Sequence, residues 1–98
     1  MVSIMQLQYL REHDHEQYLK ELDYFNIREL PQKDRIMKYF KDFGSITPLE
    51  AIRDLGIMRL GARIWELIRE GWEIGRDTEC SKNRYGKDTR YARYRWAA

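Results

Sequence analysis

SITPLEAIRDLGIMRLGARIWELIRE, residues 45–70, decides the fold, because it reads as two short helices joined by a tight glycine turn. Thr47 is a good N-cap, and Pro48 follows at the first helical position, where its missing N–H costs nothing. Glu50 stands three residues after Thr47 to close a capping box. Leu49, Ile52 and Leu55 recur every three residues and lay one apolar stripe on a helix of about two turns. Gly56 then offers a left-handed stop. A helix this short persists only if it docks.

Residues 59–70 sort onto two faces when each is turned by about 100°. Leu60, Ile64, Leu67 and Ile68 fall inward, and Arg59, Ala62, Arg63, Glu66 and Glu70 fall on the opposite side. Gly61 beside Ala62 leaves room for close approach to Ala51. The pair of helices is a helix-turn-helix pattern. In a DNA-reading helix the N-terminal half of the exposed face meets base edges, and arginine is the best bidentate partner for guanine. The candidate base readers are Met58, Arg59, Ala62 and Arg63. The competing reading is a solvated amphipathic helix whose Arg59 to Arg63 spacing is incidental.

On the C-terminal side the period changes from helical to alternating. Trp72 and Ile74 lie on one side with Glu73 on the other, so a strand begins after Gly71. Residues 80–88, CSKNRYGKD, are turn-rich. TRYARYRW then alternates again, with Ala92, Tyr94 and Trp96 on one face and Tyr91, Arg93 and Arg95 on the other. The two runs predict a hairpin, or wing. Residues 76–95 hold seven basic and three acidic side chains interleaved with Tyr85 and Tyr91. Phosphate contact or stacking is expected there, with Lys82, Arg84, Lys87 and Arg90 as the candidate phosphate contacts. An edge hairpin that uses Lys and Arg to block edge-to-edge aggregation would look similar.

On the N-terminal side, Ile36, Tyr39, Phe40 and Phe43 run at helical spacing from Gln32 to Phe43, with Gly44 as the stop. Leu30 and Pro31 mark the preceding boundary. Ser45 and Ile46 form a short extended link suited to a brief strand. Further back, Asp14 and Gln17 are spaced as a capping box for a helix carrying Tyr18, Leu19, Leu22 and Phe25. The opening MVSIMQLQYL alternates Met5, Leu7 and Tyr9 with Gln6 and Gln8, the period of a half-buried strand or an unpaired tail. His13, Asp14 and His15 read as a polar loop with two exposed histidines. Zinc needs four ligands and no Cys/His pair exists elsewhere, so no metal and no cofactor is expected.

Ninety-eight residues with 43% apolar content make one modest core and exclude a second enzyme-sized domain. No run of about 18 apolar residues and no signal-like start is present, and the single Cys80 cannot form an internal disulfide. A cytoplasmic protein that neither crosses nor lies on a membrane is expected. Charge is unevenly divided: residues 1–31 hold three basic and six acidic side chains, a balance of −3, and residues 32–98 hold fifteen and ten, a balance of +5. No nucleophile with its base and no carboxylate pair at workable spacing appears, so no enzyme is expected.

The order helix, short link, capped helix, glycine turn, helix and basic hairpin resembles a winged helix-turn-helix domain. More narrowly, GSITPLEAIRDLGIMRLGARIWELIREGWEI resembles the small helix-turn-helix domains of bacteriophage and prophage proteins. Their pattern is matched by Ser45, Ile46, Thr47, Glu50, Ala51, Asp54, Leu55, Gly56, Ile57, Arg59, Leu60, Ala62, Arg63, Ile64, Leu67, Gly71 and Trp72. The resemblance spans residues 32–96 and is specific for fold but weak for function. It implies a mainly α fold with a small β-hairpin, and a three-helix core plus wing over residues 32–98; residues 1–31 lie outside it and are read from their own pattern as a helical arm.

The leading expectation is a phage-encoded transcriptional regulator that binds double-stranded DNA as a homodimer. The alternative is an anti-defence inhibitor, anti-CRISPR-like, that binds a host protein. It draws on the acidic N-terminal arm and on Glu66 and Glu70, which would repel phosphate from the exposed face. The arm has too much apolar surface to stay solvated. Tyr18, Leu19, Leu22 and Phe25 are expected to pack partly on helix 32–43 and partly on a second copy or another partner.

Overall fold

The computed structural model describes residues 2–97. Helix α1 (Ile4–His13) and helix α2 (His15–Leu22) lead through a 3-10 turn (Ile27–Glu29) into α3 (Gln32–Phe43). Strand β1 (Ser45–Ile46) follows. Next comes α4 (Pro48–Glu50), which continues as a π-helical turn (Ala51–Leu55), then α5 (Leu60–Arg69) and strands β2 (Ile74–Lys82) and β3 (Asp88–Trp96). The three strands form an antiparallel sheet in the order β1-β3-β2. Ser45 pairs with Arg95 and Ile46 with Tyr94, so the short link closes the base of the hairpin. No helix among the described residues is long and apolar enough to cross a membrane.

The opening segment is a helix, not a strand. Ser3 Oγ accepts from the Gln6 N–H (3.2 Å) and Gln6 Oε1 accepts from the Ser3 N–H (2.8 Å), a complete capping box that starts α1. The helix buries Leu7 and Arg11, four residues apart, and leaves Met5 and Tyr9 exposed. The alternation of polar and apolar residues was therefore coincidental with a helical face. Asp14 caps α2 through the Gln17 N–H (3.2 Å), while the Gln17 side chain turns to Glu21 instead of closing a box. Phe25 falls beyond the end of that helix.

One core holds Leu7, Tyr18, Leu22 and Leu30 together with Ile36, Met37, Phe40, Ile46, Ala51, Ile57, Leu60, Ile64, Leu67 and Trp72. Tyr18 and Leu22 are fully buried in it, and Leu19 and Phe25 pack against it. Tyr18 and Leu22 are therefore closed to a second copy, while Leu19 and Phe25 stay half-buried at the edge of the core. The folded chain covers these side chains by laying α1 and α2 over the seam between α3 and the start of the wing, and it leaves Met5, Tyr9 and Tyr24 exposed.

Beneath the arm lies a polar cluster that no helical periodicity announces. The Asp34 carboxylate, fully buried, accepts at Oδ1 from Arg11 Nη1 (2.8 Å) and from the Tyr18 hydroxyl (2.7 Å). Arg11 Nε donates to Glu70 Oε1 (2.7 Å), and Lys33 Nζ reaches Glu70 Oε2 (2.6 Å). Burial and the neighbouring Asp34 push the Tyr18 phenol well up, so it stays a donor. Burial works against the Glu70 charge. Hydrogen bonds from Lys33 and Arg11 outweigh it and hold that carboxyl below the ordinary range.

Candidate nucleic-acid interface

The turn between α4 and α5 is built as its residues dictate. Thr47 Oγ1 accepts from the Glu50 N–H (3.2 Å) and Glu50 Oε1 accepts from the Thr47 N–H (2.9 Å), so the capping box forms. Gly56 has φ of +68°, the left-handed stop that a side chain would resist. The helix widens before it ends: the Ile57 N–H reaches back to the Ala51 carbonyl (3.0 Å). That π turn rotates the faces. Ala51 and Leu55 point inward while Leu49 (68% exposed) and Ile52 (47%) point out, which corrects the apolar stripe expected through Leu49 and Ile52. Helix α3 fixes the turn from behind. Arg35 Nη1 donates to the Leu55 carbonyl (3.2 Å), and the Tyr39 hydroxyl donates to Asp54 Oδ2 (2.8 Å). Burial and that bond raise the Tyr39 phenol to about 12. Asp54 is held below the ordinary carboxylate value by Arg53 first and Tyr39 second.

Helix α5 buries Leu60, Ile64 and Leu67 as expected, but Ile68 is nearly half exposed. Its outward face also differs from the expected one. Glu70 is turned inward to Arg11 and Lys33, and Glu66 lies between Lys33 (3.5 Å) and Arg63 (2.7 Å). The face turned most to solvent carries Gly61, Trp65 (59% exposed), Ile68 and Arg69, and Met58 (82%) stands exposed in the turn ahead of the helix. Arg69 stacks its guanidinium 4.6 Å from the centre of the Trp65 ring. Trp65 and Arg69 were missed because an inward face centred on Ile68 as well as Leu67 tilts the whole wheel. Met58 and Arg59 are exposed at the N-terminal end of α5. Ala62 is half-buried, and Arg63 sits on the flank beside Gln32, lining with Gly56, Met58 and Arg59 a depression of about 360 Å³. Gly61 approaches the wing instead of Ala51: a methyl group there would lie 3.5 Å from the Tyr94 hydroxyl.

The pairing of β2 with β3 divides the wing into two faces. Arg76 opposite Tyr94, Thr78 opposite Ala92, and Cys80 opposite Arg90 share the side on which Tyr94 meets α5. The other side carries Arg95 on Asp77, and Arg93 between Glu79 (2.9 Å) and Glu50 (3.2 Å), which fastens the wing to α4. Of the seven basic residues in 76–95, Arg93 and Arg95 are thus taken up internally. Lys82 pairs with Asp88 (3.2 Å) on the surface. Arg76, Arg84, Lys87 and Arg90 have no ion-pair partner among the described residues. Arg84 and Lys87 sit in the tip, where Asn83 Oδ1 accepts the N–H groups of Tyr85 (2.9 Å) and Lys87 (3.1 Å).

The histidines are not loop residues. Asp14 caps α2, His13 lies edge-on to Tyr9 (4.2 Å), and His15 stacks flat on Trp72 (3.7 Å between ring centres). Trp72 also meets Tyr18 and Trp96, which joins α2 to the root of the wing.

Comparison with known proteins adds one finding to this geometry. Residues 31–97 match the model of a family described as a winged helix-turn-helix domain. No curated protein and no solved structure matches the chain.

Proposed function

The chain belongs to the winged helix-turn-helix domain family, and from that premise we propose that it binds duplex DNA, with α5 in a major groove and the wing on the neighbouring backbone. The observation that carries this reading is the alignment of two unoccupied surfaces. The solvent face of α5 begins at Met58 and Arg59, and the hairpin beside it presents Arg76 and Arg90 on the α5 side and Arg84 and Lys87 at its tip. A major groove about 12 Å wide accepts a helix, and base edges there are read by the first turns. Arg59, Met58 and Ala62 are the proposed base readers. Arg63 joins them only by leaving Glu66. Arg84, Lys87, Arg90 and Lys82 supply phosphate contacts, which give most of the affinity and none of the sequence choice.

A single small domain reads few base pairs, so two copies on a two-fold site are proposed, acting as a phage regulator of transcription. Exposed Met5, Tyr9 and Tyr24 are the large apolar residues of the arm left for such contact. The rival reading, an inhibitor of a host protein, draws on the acidic arm and on Glu66 and Glu70. Both carboxylates are engaged by basic partners in the chain, so that reading rests on the arm.

The test is titration of random duplex DNA followed by fluorescence anisotropy between 50 and 200 mM salt. Four phosphate contacts correspond to a loss of about a hundredfold in affinity over that range, and the double change Arg84→Ala, Lys87→Ala should flatten the salt slope by about two. Arg59→Ala should weaken a selected site by about tenfold to a hundredfold while leaving random duplex binding nearly unchanged. Salt-insensitive binding, or none, sinks the proposal.

A further inference from the structure

The solvent face of α5 is unusual for a surface beside so much positive charge, because it is mainly apolar. Met58 is 82% exposed, Trp65 59% and Ile68 44%, and Ala62 sits between Met58 and Trp65. Within α5 the row Ala62, Trp65 and Arg69 runs about 10 Å at 1.5 Å per residue, and Met58 extends it from the turn ahead of the helix. Arg59 opens this row and Arg69 closes it, with the Arg69 guanidinium stacked on Trp65. Neighbouring carboxylates do not oppose a polyanion here: Glu66 is held by Lys33 and Arg63, and Glu70 is turned into the chain.

Apolar side chains have one partner among major-groove base edges, the C5-methyl of thymine. Resting on the DNA-binding reading given above, we propose that this face selects duplex sites by their thymine methyl groups, with Met58, Ala62 and Trp65 as the specificity-determining contacts and Arg59 and Arg69 as the flanking anchors. The class of ligand is therefore a duplex with thymines clustered in the groove that α5 enters. Hydrogen-bond readout is secondary, because among Met58, Ala62, Trp65, Ile68 and Arg69 only Arg69 and the Trp65 indole N–H carry a side-chain donor.

Replacing thymine by deoxyuridine removes the methyl group and leaves base pairing and hydrogen-bonding edges unchanged, so it isolates this contact. A duplex enriched by the full-length protein from a random pool is resynthesised with deoxyuridine, position by position and throughout. Each buried methyl is worth about fourfold in affinity, so full substitution should weaken wild-type binding by tenfold or more with the salt slope unchanged. Trp65→Ala, at an exposed position that folding does not depend on, should bind thymine and deoxyuridine duplexes more nearly alike. Circular dichroism confirms that the variant is folded, and Met58→Ala serves as a second probe. Equal wild-type affinity for both duplexes, with steep salt dependence retained, overturns the methyl reading and leaves the DNA reading standing. Absence of any salt-dependent duplex binding overturns both and assigns the apolar face to a protein partner.

Discussion

Glu70 is the residue whose charge state matters most to the polar cluster under the arm, since it receives both Arg11 and Lys33. Its carboxyl is held below the ordinary value of 4.5 in the folded chain. The folded state therefore binds its proton more weakly than the unfolded state does. Stability from this group is fully present above about pH 4.5 and is lost as pH falls through the folded value. Glu70→Gln should lower the urea midpoint at pH 7. The gap to wild type should then close as pH falls from 5 towards 2. A gap of constant size across that range would show that Glu70 acts through packing alone. A Gln at this position keeps the shape but offers the two cations one acceptor oxygen and no charge, so the pH dependence isolates the part that belongs to the carboxylate.

At the scale of the element, the start of α4 rests on a single local device. Only three residues are regularly α-helical before the π turn begins, so the two hydrogen bonds between Thr47 and Glu50 fix the entry angle of the whole motif. Thr47→Ala removes the capping oxygen and leaves the Glu50 N–H without its partner. It should cost about 1 kcal/mol. Chemical denaturation with both proteins at the same pH measures this, and an unchanged midpoint would show that the cap contributes nothing. Glu50 has a second task, because its Oε1 also receives Arg93 from β3. Loss of Glu50 is therefore expected to loosen the wing as well as the helix, whereas loss of Thr47 touches the helix alone.

Across the whole molecule, the arm is part of the core and not an appendage. Arg11 from α1 and Tyr18 from α2 meet Asp34 of α3, and Arg11 continues to Glu70 at the end of α5. Helices α1, α2 and α3 and the end of α5 thus share one buried charge cluster. Arg11→Met leaves the buried Asp34 carboxylate without its cation, and breaking one side of a buried ion pair costs about 3–5 kcal/mol. Arg11→Met should therefore unfold the arm and the domain together, in one transition. Hydrogen exchange checks the cooperativity: loss of protection in α1 and α2 with α3 and α5 unaffected would mean that the arm folds separately. The molecule is 49 Å along its longest axis against 24 and 20 Å across, dimensions consistent with a hairpin reaching out from this compact base.

The local signals in the sequence were sufficient for much of this architecture. The Thr47 to Glu50 box, Gly44 and Gly56, the bounds of α3 and the two faces of β3 all follow from caps, positive-φ glycines and period, which act within a few residues of chain. Helix α1, the packing of the arm, the outward faces of α4 and α5 and the destination of the charges did not. Whether Leu49 faces in or out depends on a π turn in which the Gly56 N–H bonds the Ala51 carbonyl and which delivers Ile57 into the core. Arg11, Asp34 and Glu70 lie 23 and 59 residues apart along the chain in the bonds they make. Residue type and spacing determined which elements form, because those forces are local. Which side of each element meets solvent, and hence that Trp65 and Arg69 are presented where Glu70 was expected, was decided by long-range packing and charge pairing that exist only in the tertiary structure.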